Sequence, residues 1–345
     1  MADGRDHSLE DGVGIERPGG EGESNAPRTP RSPSATPRLA HGRATGEKRR
    51  VLRNLPSRTA EAVCLMRAHE HTQPPSRRVV DDPYARWFLR PVARAAIASE
   101  GALPDIGRYA EWATDGLLQF VLGRHRYMDD ALVRAVRGGA EQIVVLGAGY
   151  DMRAYRLAKA LRGRPVFEVD HPATSRRKAR IVAQHAAELP PVDVRRVEVD
   201  FETQSFRAEL RRTGFRERGK TFFVWEGVSM YLTRAAVKDT LETMRAMSAP
   251  GSQVVLDLWY LQDDHDLRGA ARRFSSNLLA LLGEPVTFAL HPEDAGAFFQ
   301  RLGFRLREIA DAAVLRRRYF AATTHLYPTN YVALAVTLPR HPRSR

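Results

Sequence analysis

The chain has 345 residues, 43% of them hydrophobic and 28% charged, with a formal net charge of +13 and one cysteine. That length suffices for one large domain or two ordinary ones, and a lone Cys64 excludes an internal disulfide or a thiolate zinc cluster. The basic excess is almost wholly arginine, only Lys48, Lys159, Lys178, Lys220 and Lys238 being lysine, and it lacks the aromatic interleaving of a nucleic-acid surface, so no nucleic-acid partner is expected.

Residues 1–55 carry Gly, Pro, Ser and charge without apolar periodicity and are expected to form a disordered tail. Seven acids stand against Arg5 and Arg17 in residues 1–25, and eight basic residues stand against Glu47 in residues 26–53. A solvated extension is the simpler reading of that segregation, a partner-binding arm the alternative. The first residues lack the pattern of a secretory signal, and the apolar runs 142–149 and 252–258 fall far short of the ~20 residues that cross a bilayer. A cytoplasmic protein without membrane contact is expected.

From residue 56 the texture becomes helical, with Ala60, Val63, Cys64, Arg67 and Ala68 recurring on one face, so that Arg67 interrupts an apolar stripe. Asp81, Asp82 and Pro83 are expected to stop this helix, and further helical texture runs from Tyr84 to about Arg137. Residues 56–137 are therefore read as an N-terminal helical cap. Strands are expected at 142–146, 165–169, 195–199, 221–225 and 253–258, with helical stretches between most of them. This alternation predicts a doubly wound, Rossmann-like α/β sheet, mostly parallel. The last two candidates, 304–309 and 331–338, show no clear helix between them and predict an antiparallel close to the sheet. One α/β domain over 138–338, with an insertion near 259–291, leaves 339–345 as a C-terminal tail.

In open α/β sheets ligands sit beyond the carboxyl ends of the strands, and those ends are polar here. Gly147, Ala148, Gly149, Tyr150 and Asp151 follow the first strand, Asp170 ends the second, Asp200 and Phe201 follow the third, and Glu226 and Gly227 the fourth. The glycines allow a sharp turn and close approach to a ligand. Asp170 suits the two ribose hydroxyls of an adenosine cofactor. Asp200 offers an acceptor for an adenine amino group, and Phe201 an apolar face beside the ring. Met152 stands where a dinucleotide fingerprint wants its third glycine, which favours an adenosine without a pyrophosphate over NAD.

The run from Leu146 to Leu157 (Leu-Gly-Ala-Gly-Tyr-Asp-Met-Arg-Ala-Tyr-Arg-Leu), with Phe167 to Pro172, Val199 to Phe201 and Glu226 to Leu232, resembles the leucine carboxyl methyltransferase family, in particular its bacterial branch. Arg58 to Ala60, Arg67 with Ala68, Asp82 to Ala85 and Gly283 to Pro285 match the same branch, and the resemblance covers about residues 57–338. It implies a class I fold binding S-adenosylmethionine, with 138–338 as the catalytic domain. It also implies Asp170 at the ribose, Asp200 and Phe201 at adenine, Gly147 and Gly149 in the cofactor loop, and Glu226 as a cofactor contact. Arg67 and Arg126 would face the methionine carboxylate, with Arg124 two residues from the second position. One departure is Met152, where the branch has threonine between Asp151 and Arg153. Arg67 as a snorkelling side chain over core, and Glu226 as an ion-pair partner of a structural arginine, are the alternatives.

Methyl transfer from a sulfonium chiefly requires alignment in a dry pocket. A carboxylate acceptor needs no base, whereas a hydroxyl does. His125, His171 and His265 are each expected in solvated or helix-end roles, and no catalytic residue is assigned. No metal is expected, since Asp263, Asp264, His265 and Asp266 lack helical ligand spacing. The expected acceptor is an oxygen of a small molecule, entering under the cap helices and the insertion that holds Arg268, Arg272 and Arg273. A non-catalytic cofactor-binding regulator and a nicotinamide-dependent oxidoreductase are the competing readings. Oligomeric state is not legible.

Overall fold

The computed structural model describes residues 58–98, 115–200, 204–260 and 286–339. The expected N-terminal tail, residues 340–345 of the C-terminal one, Phe201, the acidic run with His265, the insertion arginines and the motif at Gly283 to Pro285 lie outside the described residues.

The chain opens with α1 (Arg58–Thr72), a 3-10 turn at Ala85–Phe88, α2 (Pro91–Ala98) and α3 (Leu117–Arg137). Asp82 does not end α1, which stops at Thr72; its buried carboxylate instead accepts the backbone N–H groups of Tyr84 and Ala85 and so caps the 3-10 turn. Then follow β1 (Gln142–Leu146), α4 (Arg153–Arg156), α5 (Ala158–Leu161), β2 (Val166–Asp170), α6 (Pro172–Gln184), β3 (Val194–Glu198), α7 (Phe206–Arg212) and β4 (Thr221–Trp225). After these come α8 (Arg234–Met247), β5 (Gln253–Trp259), α9 (Pro292–Arg301), β6 (Phe304–Asp311), α10 (Ala312–Tyr319) and β7 (Asn330–Thr337).

The strands form one seven-stranded sheet in the order β3-β2-β1-β4-β5-β7-β6. The first five are parallel, and β7 runs antiparallel to both β5 and β6. The expected antiparallel close is thus present, but β7 inserts between β5 and β6, and α10 occupies the connection expected to lack a helix. The sequence does start that helix: Asp311 caps it by accepting from the Val314 N–H at 2.8 Å.

Alternation along the buried strands divides the interior into two cores. Ile143 and Val145 of β1 with Phe222 and Val224 of β4 face a core shared with Phe120, Tyr127, Met128 and Leu132 of α3. Val144 and Leu146 with Phe223 and Trp225 face the opposite core, filled by Val237, Leu241 and Met244 of α8 and Phe298 and Phe299 of α9. α3 therefore packs on the sheet itself, although it falls in the segment read as a cap. The edge strands β3 and β6 carry Arg195, Arg196, Arg305 and Arg307, charges that discourage pairing with another chain.

Candidate functional site

Register brings the parallel strands to a common level at their carboxyl ends: Leu146 pairs with Val169 and Trp225, Asp170 with Glu198, and Trp225 with Leu256. Polar residues therefore line up across the sheet as Asp200, Asp170, Gly147, Glu226 and Asp257. The sheet reverses its strand order between β1 and β4, the point at which ligands bind in this architecture.

The loop after β1 is pinned from several sides. The N–H groups of Gly147 and Ala148 donate to the Val169 carbonyl at 2.8 and 3.2 Å. Gly147 has φ +63° with the Val228 side chain where a Cβ would stand, so only glycine fits. Gly149 donates its N–H to Asp170, whose other oxygen accepts from the His171 N–H at 2.6 Å. Burial pushes the Asp170 carboxyl up, an effect those two N–H groups only partly offset. Each oxygen keeps acceptor capacity. Asp200 sits beyond β3, where its N–H donates to the Gln204 side chain at 2.9 Å.

Arg67 is 4% exposed and reaches the loop from α1, with Nη2 2.9 Å from the Tyr150 carbonyl and Nε 2.9 Å from Asp82. Cys64 lies beside it, and burial pushes its thiol up to about 12, which leaves it without thiolate character. Burial would lower the Arg67 guanidinium, yet the carboxylates of Asp82 and Asp151 hold it above its ordinary value.

Glu226 is the hub of a buried charge network. Its Oε1 lies 3.1 Å from Arg124 Nε, its Oε2 3.0 Å from His125 Nδ1, and Arg153 Nη2 also donates to Oε2. Burial alone would raise this carboxyl, but the guanidiniums of Arg153 and Arg124 and the hydrogen bond from His125 hold it well below the usual carboxylate range. Arg124 also donates to Asp257 Oδ2 at 2.6 Å, while Asp257 Oδ1 accepts from the Gly227 N–H at 2.7 Å. Burial raises the Asp257 carboxyl more than Arg124 lowers it. Asp151 ends lower than usual, because the Arg153 guanidinium beside it outweighs its burial. Arg156 joins Asp129 at 2.8 Å, and Lys178, 1% exposed, joins Glu168 at 2.8 Å and donates to the Asp151 carbonyl.

The structure thus brings Arg67, Gly147, Gly149, Asp170, Asp200 and Glu226 to the strand ends but not Arg126. That side chain is 45% exposed, bonded to Asp130 at 3.1 Å and to the Val79 carbonyl at 3.1 Å. Successive helical residues turn ~100°, so residues two apart point to opposite sides; Arg124 faces Glu226 and Arg126 faces out. The spacing of Arg126, Asp130, Arg134 and Arg137 in the sequence already traces that outer face. His125 also differs from expectation: it is 1% exposed in the middle of α3, neither solvated nor at a helix end. His171 does take the helix-end role, capping α6 by accepting from the Ala173 N–H. Arg156 and Asp257 carry no role in the sequence reading, and Arg153 enters it only as the neighbour of Met152. Asp257, an acid inside the run of β5, was the visible signal.

Among the described residues no group of three His, Cys, Asp or Glu converges as metal ligands, and no helix is long and apolar enough to cross a membrane.

The pattern of the family described as leucine carboxyl methyltransferase matches residues 60–245, more than half of the chain and all of the site as far as β4. The chain belongs to the leucine carboxyl methyltransferase family. Its cofactor class is S-adenosylmethionine, and membership sets aside the nicotinamide-dependent reading. A Rhodococcus jostii (strain RHA1) protein is 35% identical over 199 residues, spanning 58% of this chain and 64% of its own length, so less than two thirds of that relative is covered. A Mycobacterium avium (strain 104) protein is 30% identical over 238 residues, spanning 66% of this chain and 75% of its own. Both carry the provisional name of S-adenosyl-L-methionine-dependent methyltransferase. The crystal structure of a DUF574 family protein from Streptomyces avermitilis shares the fold, with a TM-score of 0.53 at 14% identity over 82% of this chain and 98% of that one.

Proposed function

We propose that this S-adenosylmethionine-dependent methyltransferase transfers its methyl group to an oxygen of a small molecule, a carboxylate or a phenolic or enolic hydroxyl of a secondary metabolite. The observation that carries the cofactor placement is Asp170 joined to the loop glycine Gly149 at the switch point of the sheet. Asp170 has acceptor capacity left on both oxygens for ribose hydroxyls, and the left-handed backbone at Gly147 and Gly149 turns the loop back against Asp170. Asp200 would accept from the adenine amino group, with Phe201 beside the ring. Arg67, tied to the Tyr150 carbonyl, is the candidate for the methionine carboxylate. Arg124 takes the place first given to Arg126.

Bound there, S-adenosylmethionine supplies a methyl group on sulfur that is already a good leaving group. The protein's share is to orient the acceptor oxygen and exclude water. His171 is engaged as a helix cap, and both ring nitrogens of His125 are engaged inside the charge network. With neither free to take a proton, a carboxylate acceptor is favoured narrowly over a hydroxyl, because a carboxyl of pKa near ~4 is ionised without help. A small-molecule acceptor rather than nucleic acid, and a cytoplasmic setting, belong to the same proposal.

The test is incubation of the protein with methyl-labelled S-adenosylmethionine and fractionated small-molecule extract. A base-labile labelled ester supports the carboxylate, and a base-stable ether the hydroxyl. Label recovered only on protein or nucleic acid overturns the proposal, and cofactor binding without turnover on any fraction identifies a regulator.

A further inference from the structure

His125 is held in one tautomer by its neighbours. Its Nε2 lies 2.6 Å from Arg156 Nη2. A guanidinium only donates, so Nε2 must accept and carries no proton. The ring proton then sits on Nδ1, which lies 3.0 and 3.2 Å from the two Glu226 oxygens and donates to that carboxylate. Arg153 Nη2 lies 2.9 Å from Nδ1 and so faces that nitrogen as Arg156 faces Nε2; what decides the tautomer is Glu226, an acceptor within reach of Nδ1 and not of Nε2, to which Arg153 donates as well.

Arg156 is fixed in turn. Its Nη2 also lies 2.8 Å from Asp129 Oδ2, an ion pair that holds the guanidinium against the ring. Asp129 and His125 are four residues apart on α3 and share a face of it, while Arg156 comes from α4, directly beyond the cofactor loop. The donor chain therefore runs from Arg156 to His125 and from His125 to Glu226, with Asp129 as the counter-charge of Arg156. A third hydrogen-bond donor thus reaches a carboxylate that guanidiniums from two elements already hold.

We propose that His125 is a positioning residue, which through its Nδ1–H tautomer, set between Arg156 and Glu226, fixes the orientation of Glu226 at the cofactor site. The inference rests on the reading that Glu226 faces the cofactor. It assigns His125 no proton transfer, since neither ring nitrogen is free to exchange with an acceptor. What it adds is a reason for an imidazole among arginines: a ring that accepts on one side and donates on the other transmits direction, where another guanidinium could only donate.

The full-length protein, labelled with nitrogen-15 in histidine and held at pH 7.5, tests the geometry directly. Imidazole nitrogen shifts, assigned by loss of one set in His125→Leu or, if that variant does not fold, in His125→Asn, should show Nδ1 protonated and Nε2 bare. An Nε2–H tautomer or a doubly protonated ring overturns the proposal. Arg156→Met should release the ring to a mixture of tautomers, and a ring unchanged in that variant would remove Arg156 from the argument. Calorimetry with S-adenosylhomocysteine tests the consequence: His125→Leu should weaken binding by about tenfold, the size of one hydrogen bond to a charged group. His125→Asn, which places an N–H donor where Nδ1 stood, should recover most of that loss. Equal losses in both variants would mean packing rather than donor direction, and no loss in either would sink the positioning role while leaving the cofactor reading intact. No binding by the wild-type protein would overturn the cofactor reading, and the positioning role with it.

Discussion

Gly147 and Val228 approach so closely that no Cβ fits between them, and this contact joins the loop after β1 to the loop after β4. At φ +63° an L-residue is strained at position 147 as well. Gly147→Ala therefore meets two separate penalties, roughly 1–2 kcal/mol for the left-handed backbone and about 1–3 kcal/mol for overpacking. Urea denaturation should show the sum, and Val228→Ala in the same background should return only the overpacking share. Full recovery would show that the backbone conformation costs nothing, and no loss at all would remove the contact from the account.

The two arginines of α3 provide a matched pair. Arg124→Ala leaves Asp257 and Glu226 buried without a cation they share, and breaking such a pair costs about 3–5 kcal/mol. Arg126→Ala removes an exposed pair worth about 1 kcal/mol or less. Chemical denaturation of both variants checks the contrast. Similar losses would mean that the network redistributes its charge around a missing Arg124.

Folding and pH are linked through the carboxylates of the site. Glu226, Asp82 and Asp151 are held below their ordinary values of 4.5, 3.8 and 3.8. Their stabilising share is fully present above those unfolded values and is lost as pH falls through the lower folded ones. Asp170 and Asp257 are raised from 3.8 and act in the opposite sense, so that ionising them as pH rises from 3.8 through their folded values costs stability. The melting temperature should therefore drop steeply only below about pH 4, with a shallower drop in Glu226→Gln. Scanning calorimetry from pH 2 to 8 measures both, and an acid limb of equal slope in the variant would exclude Glu226 as a contributor.

Asp170→Ala removes the acceptor opposite the ribose hydroxyls as well as the partner of the Gly149 N–H. Stranding donors in a closed site costs roughly 2 kcal/mol, or about 30-fold in affinity for S-adenosylhomocysteine. Titration calorimetry reads this directly. An unchanged affinity would put the ribose elsewhere.

The sequence was most legible where a structural demand is local. β1 and β4 each follow one polar residue, Gln142 or Thr221, with four apolar ones buried on both faces, and their expected bounds match the structure. Asp170 and the loop glycines answer to backbone geometry within a few residues of a strand end. The eight-residue α10 escaped because it buries only Leu315 and so has no apolar stripe to show, although its capping Asp311 was visible. The charge network was illegible for a different reason: Arg124 and Asp257 are 133 residues apart, and Arg67 and Tyr150 are 83 apart. No local window shows which charge will find which partner. Only the helical phase of α3, with its solvated stripe through Arg126 and Asp130, held the information that separates Arg124 from Arg126.

The bond from Arg67 to the Tyr150 carbonyl also sets an order of events at the ribosome. Arg67 emerges first, and its acceptor follows 83 residues later; at bacterial-to-eukaryotic elongation rates of roughly 5–20 residues per second, that is a wait of about 4–17 s. During it Arg67 can find Asp82, 15 residues on, but not the loop after β1. A pause in translation just before residue 150 would therefore leave α1 with its partners among the earlier helices and with its tie to the sheet, the bond from Arg67 to the loop after β1, still unmade.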